Sequence, residues 1–307
     1  MTDLKPKPAS ALEQAHTVFI MYPRLKELDQ EICRCQQLSR VAGEPQCIAL
    51  EGSTGAGKTT LIQQYAAGFP RRETRLGTRI PVFYLETPSP ATVKTMASVM
   101  LERLGDPAAH IGTIGSLNSR LIKLLQACEV ELVILDDFHH LIDTETDRVL
   151  AKVSDWLKVL IKETGIPFLV VGIEGKVERI LQANAQLSRL FAARETLAPF
   201  AWRPEQPTTI QAFHTFVSTL ESCVGKPLTT TVPRTELLYR LYYCTDGVVG
   251  NVMNLLRYAV KLTEEQSQIT LELPLLRQAF EKRLAKHMRG KVNPFSWSAD
   301  ERFMAPA

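Results

Sequence analysis

Short runs that are apolar at every position alternate with longer stretches in which apolar residues recur every three or four positions. This alternation governs the first two thirds of the chain. Apolar runs of strand length lie at 47–50, 80–85, 132–135 and 167–172, with 196–200 as a fifth. Unbroken apolar runs suit strands of a parallel sheet that is covered on both faces. The helical periodicity between them predicts helices at 61–67, from Pro90 to Leu104, from a cap at Ser116 to Cys128, at 146–163 with Gly165 as the stop, and at 177–192. Phe69 to Arg79 reads as a polar connection. Ahead of the first strand, residues 13–38 read as a helix in two parts broken near Pro23. Strand and helix in regular alternation predict an α/β fold, a parallel sheet flanked by helices.

Past Trp202-Arg203-Pro204 the strand signal stops, and helices are predicted at 207–223, 233–245, 248–265 and 271–289, a small all-helical domain. The expected partition is a leader with helices over 1–45, an α/β domain over 46–203, a helical domain over 204–290 and a tail over 291–307. The basic run Lys282–Lys291 closes the helical part. The tail mixes aromatic and charged residues (Phe295, Trp297, Phe303) and suits docking on a partner or packing back on the body equally well.

Composition narrows the classes. The 307 residues are 45% hydrophobic, enough for a core, yet no run approaches the roughly eighteen apolar residues of a membrane helix, and the first residues lack the apolar core of a secretion signal. The net charge of +3 leaves any nucleic-acid binding to a local basic patch. The six cysteines are scattered without metal-ligand spacing, which fits reduced thiols and a cytoplasmic location. His139 and His140 lack a third ligand, so packing is the expectation for them rather than metal binding.

The strongest chemical signal is Gly52-Ser53-Thr54-Gly55-Ala56-Gly57-Lys58-Thr59-Thr60, a G-x-x-x-x-G-K-T loop between a predicted strand and a predicted helix. Backbone N–H groups in such a loop wrap a phosphate, helped by the positive end of the helix. Lys58 is placed to reach the β- and γ-phosphates of a nucleoside triphosphate, and the Thr59 hydroxyl to hold Mg²⁺. The third strand runs into Asp136-Asp137, the acidic partner motif. Asp136 is the expected second Mg²⁺ holder, largely through waters, and Asp137 the group that orients the attacking water.

An α/β nucleotide domain followed by a compact helical lid resembles an AAA+ ATPase. Ile20-Met21-Tyr22-Pro23-Arg24-Leu25, the loop G-S-T-G-A-G-K-T-T-L, Leu135-Asp136-Asp137-Phe138-His139-His140-Leu141, Gln186-Leu187-Ser188-Arg189 and Asn293-Pro294-Phe295 narrow the resemblance to the TniB/TnsC family of transposition regulators, which includes those of CRISPR-associated transposons. The resemblance spans about residues 13–296. It implies an ATP- and Mg²⁺-dependent ATPase that assembles with copies of itself, as a ring or helical filament, on double-stranded DNA. It further implies that the protein selects target sites, recruits a transposase, works with a target-selection protein of the TniQ type, and resets by hydrolysis. Such assemblies hold each nucleotide between two subunits, and the resemblance assigns the arginine offered by the neighbour to Arg189, with Arg194 as runner-up. It places the DNA-facing positive charges on Lys94, Arg120 and Lys123.

Three departures from the family pattern point to slow turnover. Asp137 stands where the family has glutamate, one methylene longer. The fourth strand ends Gly172-Ile173-Glu174, without a neutral polar side chain to touch phosphate. The lid has Gly250 where an arginine is usual, leaving Asn251 or Arg257 as substitutes. Two alternatives stay open: another DNA-associated AAA+ protein of the helicase-loader or replication-initiator kind, and an ATP-gated DNA-binding scaffold whose hydrolysis is vestigial.

Overall fold

A computed structural model describes residues 10–39, 43–75, 77–142, 146–229, 231–288 and 290–297. Contacts divide the chain into two compact units. One runs from Pro23 to Ala198; the other joins the described residues up to Tyr22 with those from Pro199 onward. Among the described residues no helix is long and apolar enough to cross a membrane.

The chain opens with α1 (Ala11–Thr17), which belongs to the second unit, and α2 (Pro23–Leu38), which starts the first. Ser10 and Glu13 cap α1 reciprocally, through Glu13 N–H to Ser10 Oγ at 3.1 Å and Ser10 N–H to Glu13 Oε2 at 2.8 Å. Pro23 is the first residue of α2, a position where its missing N–H costs nothing, which explains the break between the two helices.

The α/β unit continues through β1 (Ile48–Glu51), α3 (Lys58–Ala67), β2 (Arg72–Thr74), β3 (Gly77–Arg79), β4 (Val82–Glu86), α4 (Val93–Leu104), α5 (Ile114–Ala127) and β5 (Leu132–Asp136). It closes with α6 (Asp147–Thr164), β6 (Phe168–Gly172), α7 (Lys176–Gln182), α8 (Ala185–Leu190) and β7 (Ala193–Thr196). Five strands form a parallel sheet in the order β4-β5-β6-β1-β7. Every residue of β5 and β6 is buried, as their unbroken apolar sequences require. The chain leaves β1 for the far edge at β4, so the carboxyl end of β1 opens at a switch point, where ligands of such sheets bind.

The elements differ from the sequence expectations in four places. The connection after α3 contains an antiparallel hairpin, β2 with β3, whose polar, largely exposed residues show no strand periodicity. Thr113 caps α5 instead of Ser116; Ser116 is the residue whose N–H the Thr113 hydroxyl receives, at 3.3 Å. The single helix expected over 177–192 is two, because Asn184 takes an extended conformation and caps α8 through the Gln186 and Leu187 N–H groups at 2.9 and 3.0 Å. The fifth strand comes earlier, at Ala193–Thr196, which puts Arg194 in the sheet opposite Ala49.

The second unit packs α1 with α9 (Pro207–Val224), α10 (Arg234–Thr245), α11 (Val249–Glu265) and α12 (Leu273–Arg283) around Phe213, Val217, Leu241, Leu255 and Phe280. The basic run lies mostly beyond the end of α12, with Arg289 outside the described residues. The start of the tail packs back: Phe295 is buried, and the buried Arg240 guanidinium donates to Pro294 O at 2.9 Å and lies 5.7 Å from the Trp297 ring. Phe303 falls outside the described residues.

Gly247 joins α10 to α11 with φ +65°, and a Cβ there would lie 2.1 Å from Phe200 O. Gly165, at φ +68°, faces open space. Gly247→Ala should therefore cost about 2–4 kcal/mol, strain and overlap together, against roughly 1 kcal/mol for Gly165→Ala. Urea unfolding midpoints of the two variants check the contrast.

Candidate functional site

The phosphate loop is built on close packing. Gly52 follows β1 so tightly against the residue after β7 that a Cβ would sit 2.3 Å from Leu197 O, while Leu197 N–H donates to Glu51 O at 2.8 Å. Gly55 and Gly57 curl the loop at φ +80° and +103°, and the space beside Gly57 is open. Only glycine takes these angles without strain, and the curl turns successive N–H groups to one side. Ala56 is buried, and α3 begins at Lys58.

Lys58 lies over this loop, 7% exposed, with Nζ donating to Gly52 O at 2.8 Å and Ser53 O at 3.0 Å. Burial pushes its pKa down, against the upward pull of the Asp136, Asp137 and Glu51 carboxylates. Asp136, 1% exposed, accepts from the Asp137 N–H at 2.9 Å and the Tyr84 hydroxyl at 3.4 Å. Its pKa is raised, first by burial, then by the Asp137 charge; the Thr59 hydroxyl, the Asp137 N–H and the Tyr84 hydroxyl pull the other way. Asp137 has φ +48°, a left-handed residue opening the short turn Phe138–Leu141.

The donor set fits a magnesium nucleotide. A buried carboxylate close enough to the first-turn threonine of α3 to feel its hydroxyl, beside a lysine over a curled glycine loop, is the arrangement a phosphate-bound divalent cation needs. Ser53 Oγ and Thr87 Oγ1 are buried without partners among the described residues; Ser53 belongs to the loop, and Thr87 N–H donates to Asp136 O at 2.9 Å. Thr59 and Thr60 are exposed at the start of α3, as is Thr54 in the loop. Among the described residues no cluster of three or more His, Cys, Asp or Glu could hold a metal by itself.

Gly172 at the end of β6 has no room for a side chain, since a Cβ would lie 2.6 Å from Val177 Cγ2 and 3.4 Å from His139 Nδ1. Glu174, just beyond, is exposed. Both histidines are half-buried; His139 Nδ1 is buried without a partner among the described residues, and burial is the main cause of that ring's lowered pKa. In the helical unit, Asn251 Nδ2 donates to Thr245 O at 3.2 Å and Arg257 Nε to Ala15 O at 2.8 Å.

The two candidate arginines differ sharply. Arg189 is exposed on α8, with no ion pair or hydrogen bond among the described residues. Arg194 pairs with Glu178 and donates to Ser188 Oγ at 2.6 Å, Ser188 O at 3.2 Å and Phe191 O at 3.2 Å. The candidate DNA contacts do not gather. Lys94 and Lys152 share the lining of an open groove of about 700 Å³ with Ile114, Val153 and Trp156, which includes neither Lys123 nor Arg120 and no phosphate-loop residue. Lys123 is exposed, whereas Arg120 lies 3.0 Å from Asp106 and donates to Ala108 O and Ile111 O, tying down the loop ahead of α5.

Two contributors escaped sequence reasoning. Tyr84 reaches Asp136 from β4, and the Glu51 carboxylate accepts the Gly175 and Glu178 N–H groups at 3.1 and 2.9 Å, capping α7 from the foot of the phosphate loop. Glu51 had a signal, a charged residue ending a buried strand; Tyr84 had none.

The sheet order, the glycine loop on β1 and the acidic end of β5 define a P-loop AAA+ fold followed by a helical domain. The profile of the bacterial TniB protein family matches residues 11–200, and the chain belongs to that family. Solved structures share the fold. The Aeropyrum pernix ORC1 protein, in complex with DNA, has a TM-score of 0.60 at 14% identity over 89% of this chain and 68% of that one. The Aeropyrum pernix ORC2 protein, in ADPNP–ADP complexes, has 0.60 at 17% over 88% and 71%. CDC6P from Pyrobaculum aerophilum has 0.60 at 14% over 86% and 68%. No individually curated protein matches the sequence significantly.

Burying Asp136 has a measurable consequence. Its folded pKa lies above the unfolded value, so whatever it contributes to stability is whole below the unfolded carboxyl pKa and is lost as pH rises through the folded one. Asp136→Asn should raise the nucleotide-free melting temperature at pH 7 by about 2–4 °C, the shift that on the order of 1 kcal/mol makes in a chain of this size. The gain should shrink toward pH 4, and ATP with magnesium should add less stability than it adds to the wild type. Thermal unfolding with and without nucleotide checks all three.

Proposed function

We propose that this protein is an ATP-dependent regulator of transposition that assembles on double-stranded DNA, marks target sites for a transposase and comes apart on slow hydrolysis. The family match carries this reading, joined to a complete phosphate loop and an unpaired Arg189. Gly52 to Thr60 would cradle the triphosphate, and Lys58, which now donates to the Gly52 and Ser53 carbonyls, would exchange them for the β- and γ-phosphates. Thr59, and Asp136 through waters, would hold the magnesium ion, which neutralises phosphate charge when bound. Asp137 orients the attacking water. Arg189 of a neighbouring copy completes the γ-phosphate site with a planar, permanently charged fork.

Three features support slow turnover. Asp137 is one methylene shorter than glutamate, Gly172 admits no polar side chain, and both Asn251 and Arg257 are engaged within the helical unit. Catalytic geometry is sensitive to displacements of about 1 Å. ATP then acts as a latch between subunits. Lys94 and Lys123 remain candidates for DNA phosphates, joined by Lys152 beside Lys94; Arg120 is the weakest, its charge already paired. A target-selection protein of the TniQ type and the transposase are the expected further partners.

The test mixes purified protein with duplex DNA and either ATP or a non-hydrolysable analogue, images the product by negative-stain microscopy and measures phosphate release. Filaments or rings that need nucleotide, with slow release, are expected; no DNA-dependent assembly with either nucleotide would refute the proposal. Assembly without release above a Lys58→Ala control would mark a scaffold with vestigial hydrolysis. Asp137→Asn should assemble and release no phosphate above that control. Arg189→Ala should lower the release rate by about a thousandfold, or to the limit of detection, by analogy with arginines supplied in trans.

A further inference from the structure

Arg189 sits on a six-residue helix, too short to hold its own shape in water, so tertiary contacts must set where the guanidinium points. Leu187 and Leu190 bury one face of α8 and Asn184 caps its start. Two residues supply the polar contacts at its far end: Cys47, whose N–H donates to Leu190 O at 3.0 Å, and Arg194. Arg194 grips Ser188 through Oγ at 2.6 Å and O at 3.2 Å, the residue immediately before Arg189, and Phe191 O just past the end of α8. Its other arm pairs with Glu178 on α7, whose carboxylate also receives Gln182 Nε2 at 2.7 Å. The N–H of Glu178 in turn donates to Glu51 Oε1 at 2.9 Å, and the Gly175 N–H to Glu51 Oε2 at 3.1 Å. Glu51 is the residue before Gly52. Both ends of this chain of contacts are rooted in neighbouring strands, since Arg194 lies in register with Ala49 and Thr196 with Glu51.

We propose that Glu51, Glu178 and Arg194 form a polar strut that sets Arg189 from the phosphate loop of its own chain, so that each subunit's loop governs the arginine it offers the next. This rests on Arg189 acting in trans, as proposed above. Glu51, Glu178 and Arg194 are then positioning residues: they touch no nucleotide on the neighbouring subunit, yet fix the group that does. Stability alone gives little reason for the arrangement. The Arg194 and Glu178 side chains are 34% and 29% exposed, and partly exposed ion pairs add little to stability. Position is another matter, because a shift of about 1 Å at a charged catalytic group costs up to about a hundredfold in rate.

The experiment measures DNA-stimulated phosphate release and melting temperature for full-length Arg189→Ala, Arg194→Met and Glu178→Gln. Arg189→Ala comes first: if it keeps wild-type turnover, the trans-acting role of Arg189 fails, independently of the strut. Given its loss, Arg194→Met should lower kcat at least about tenfold while KM for ATP moves less than about twofold and the melting temperature stays near wild type. Glu178→Gln keeps the shape without the charge and should show the same split more weakly.

Mixing supplies the readout that a merely structural role would not move. Arg194→Met has an intact loop and a misplaced arginine; Asp137→Asn has a silent loop and a well-placed arginine. Equimolar assemblies of the two should turn over faster than the sum of the separate proteins, because one kind of interface regains both parts. Wild-type kcat in both Arg194→Met and Glu178→Gln, or a mixture no faster than the sum, would overturn the strut.

Discussion

The carboxyl edge of the sheet depends on one tight contact, the backbone of Gly52 against the carbonyl of Leu197. No side chain fits between them, and the hydrogen bond from Leu197 N–H to Glu51 O closes the same gap from the other side. That contact fixes where β1 stops and the phosphate loop begins. The left-handed glycines then have a rigid base from which to curl, and α3 starts with its N–H groups facing the curl. Loosening the contact would misplace Lys58 and Thr59 together, and with them the geometry against Asp136.

The charges around the loop are buried at a cost to the folded chain. Lys58 and Asp136 are both almost fully covered, and burial moves each pKa toward the neutral form. Buried charge of this kind is poor evidence of stabilisation and good evidence of a site prepared for a charged ligand. The loop carbonyls that hold the Lys58 amine, and the tyrosine and backbone donors around Asp136, keep both groups in place.

A second division runs through the basic residues, between charges already spent and charges still available. Arg194, Arg120 and Arg257 each hold a loop, a short helix or a neighbouring segment by carbonyl and carboxylate contacts. Arg189, Lys94 and Lys123 are exposed and have no such partner among the described residues. Residues of one type, similar in the sequence, thus separate into structural ties and candidates for contact outside the chain. Arg194 and Glu178 connect the two groups, since a tie of this kind decides where an available charge points.

Much of this was legible in the sequence by itself. Unbroken apolar runs specify buried parallel strands because a strand covered on both faces has no polar position to show, and helical periodicity supplied the layers. The glycine spacing of the loop and the acid after β5 are local requirements of phosphate and cation chemistry, so local sequence carries them. What the sequence left open was decided at longer range. The hairpin β2–β3 is largely exposed and carries no apolar side chain, so it has no hydrophobic period. Asn184 could continue a helix or cap one, and only the packing of Leu187 and Leu190 makes it a cap. Arg194 lies in the sheet because β1 offers its edge there, and Glu51, Glu178 and Ser188 meet it from positions scattered along the chain. Side-chain pairing across such distances leaves no periodic mark in a sequence; the tertiary fold alone brings those residues together.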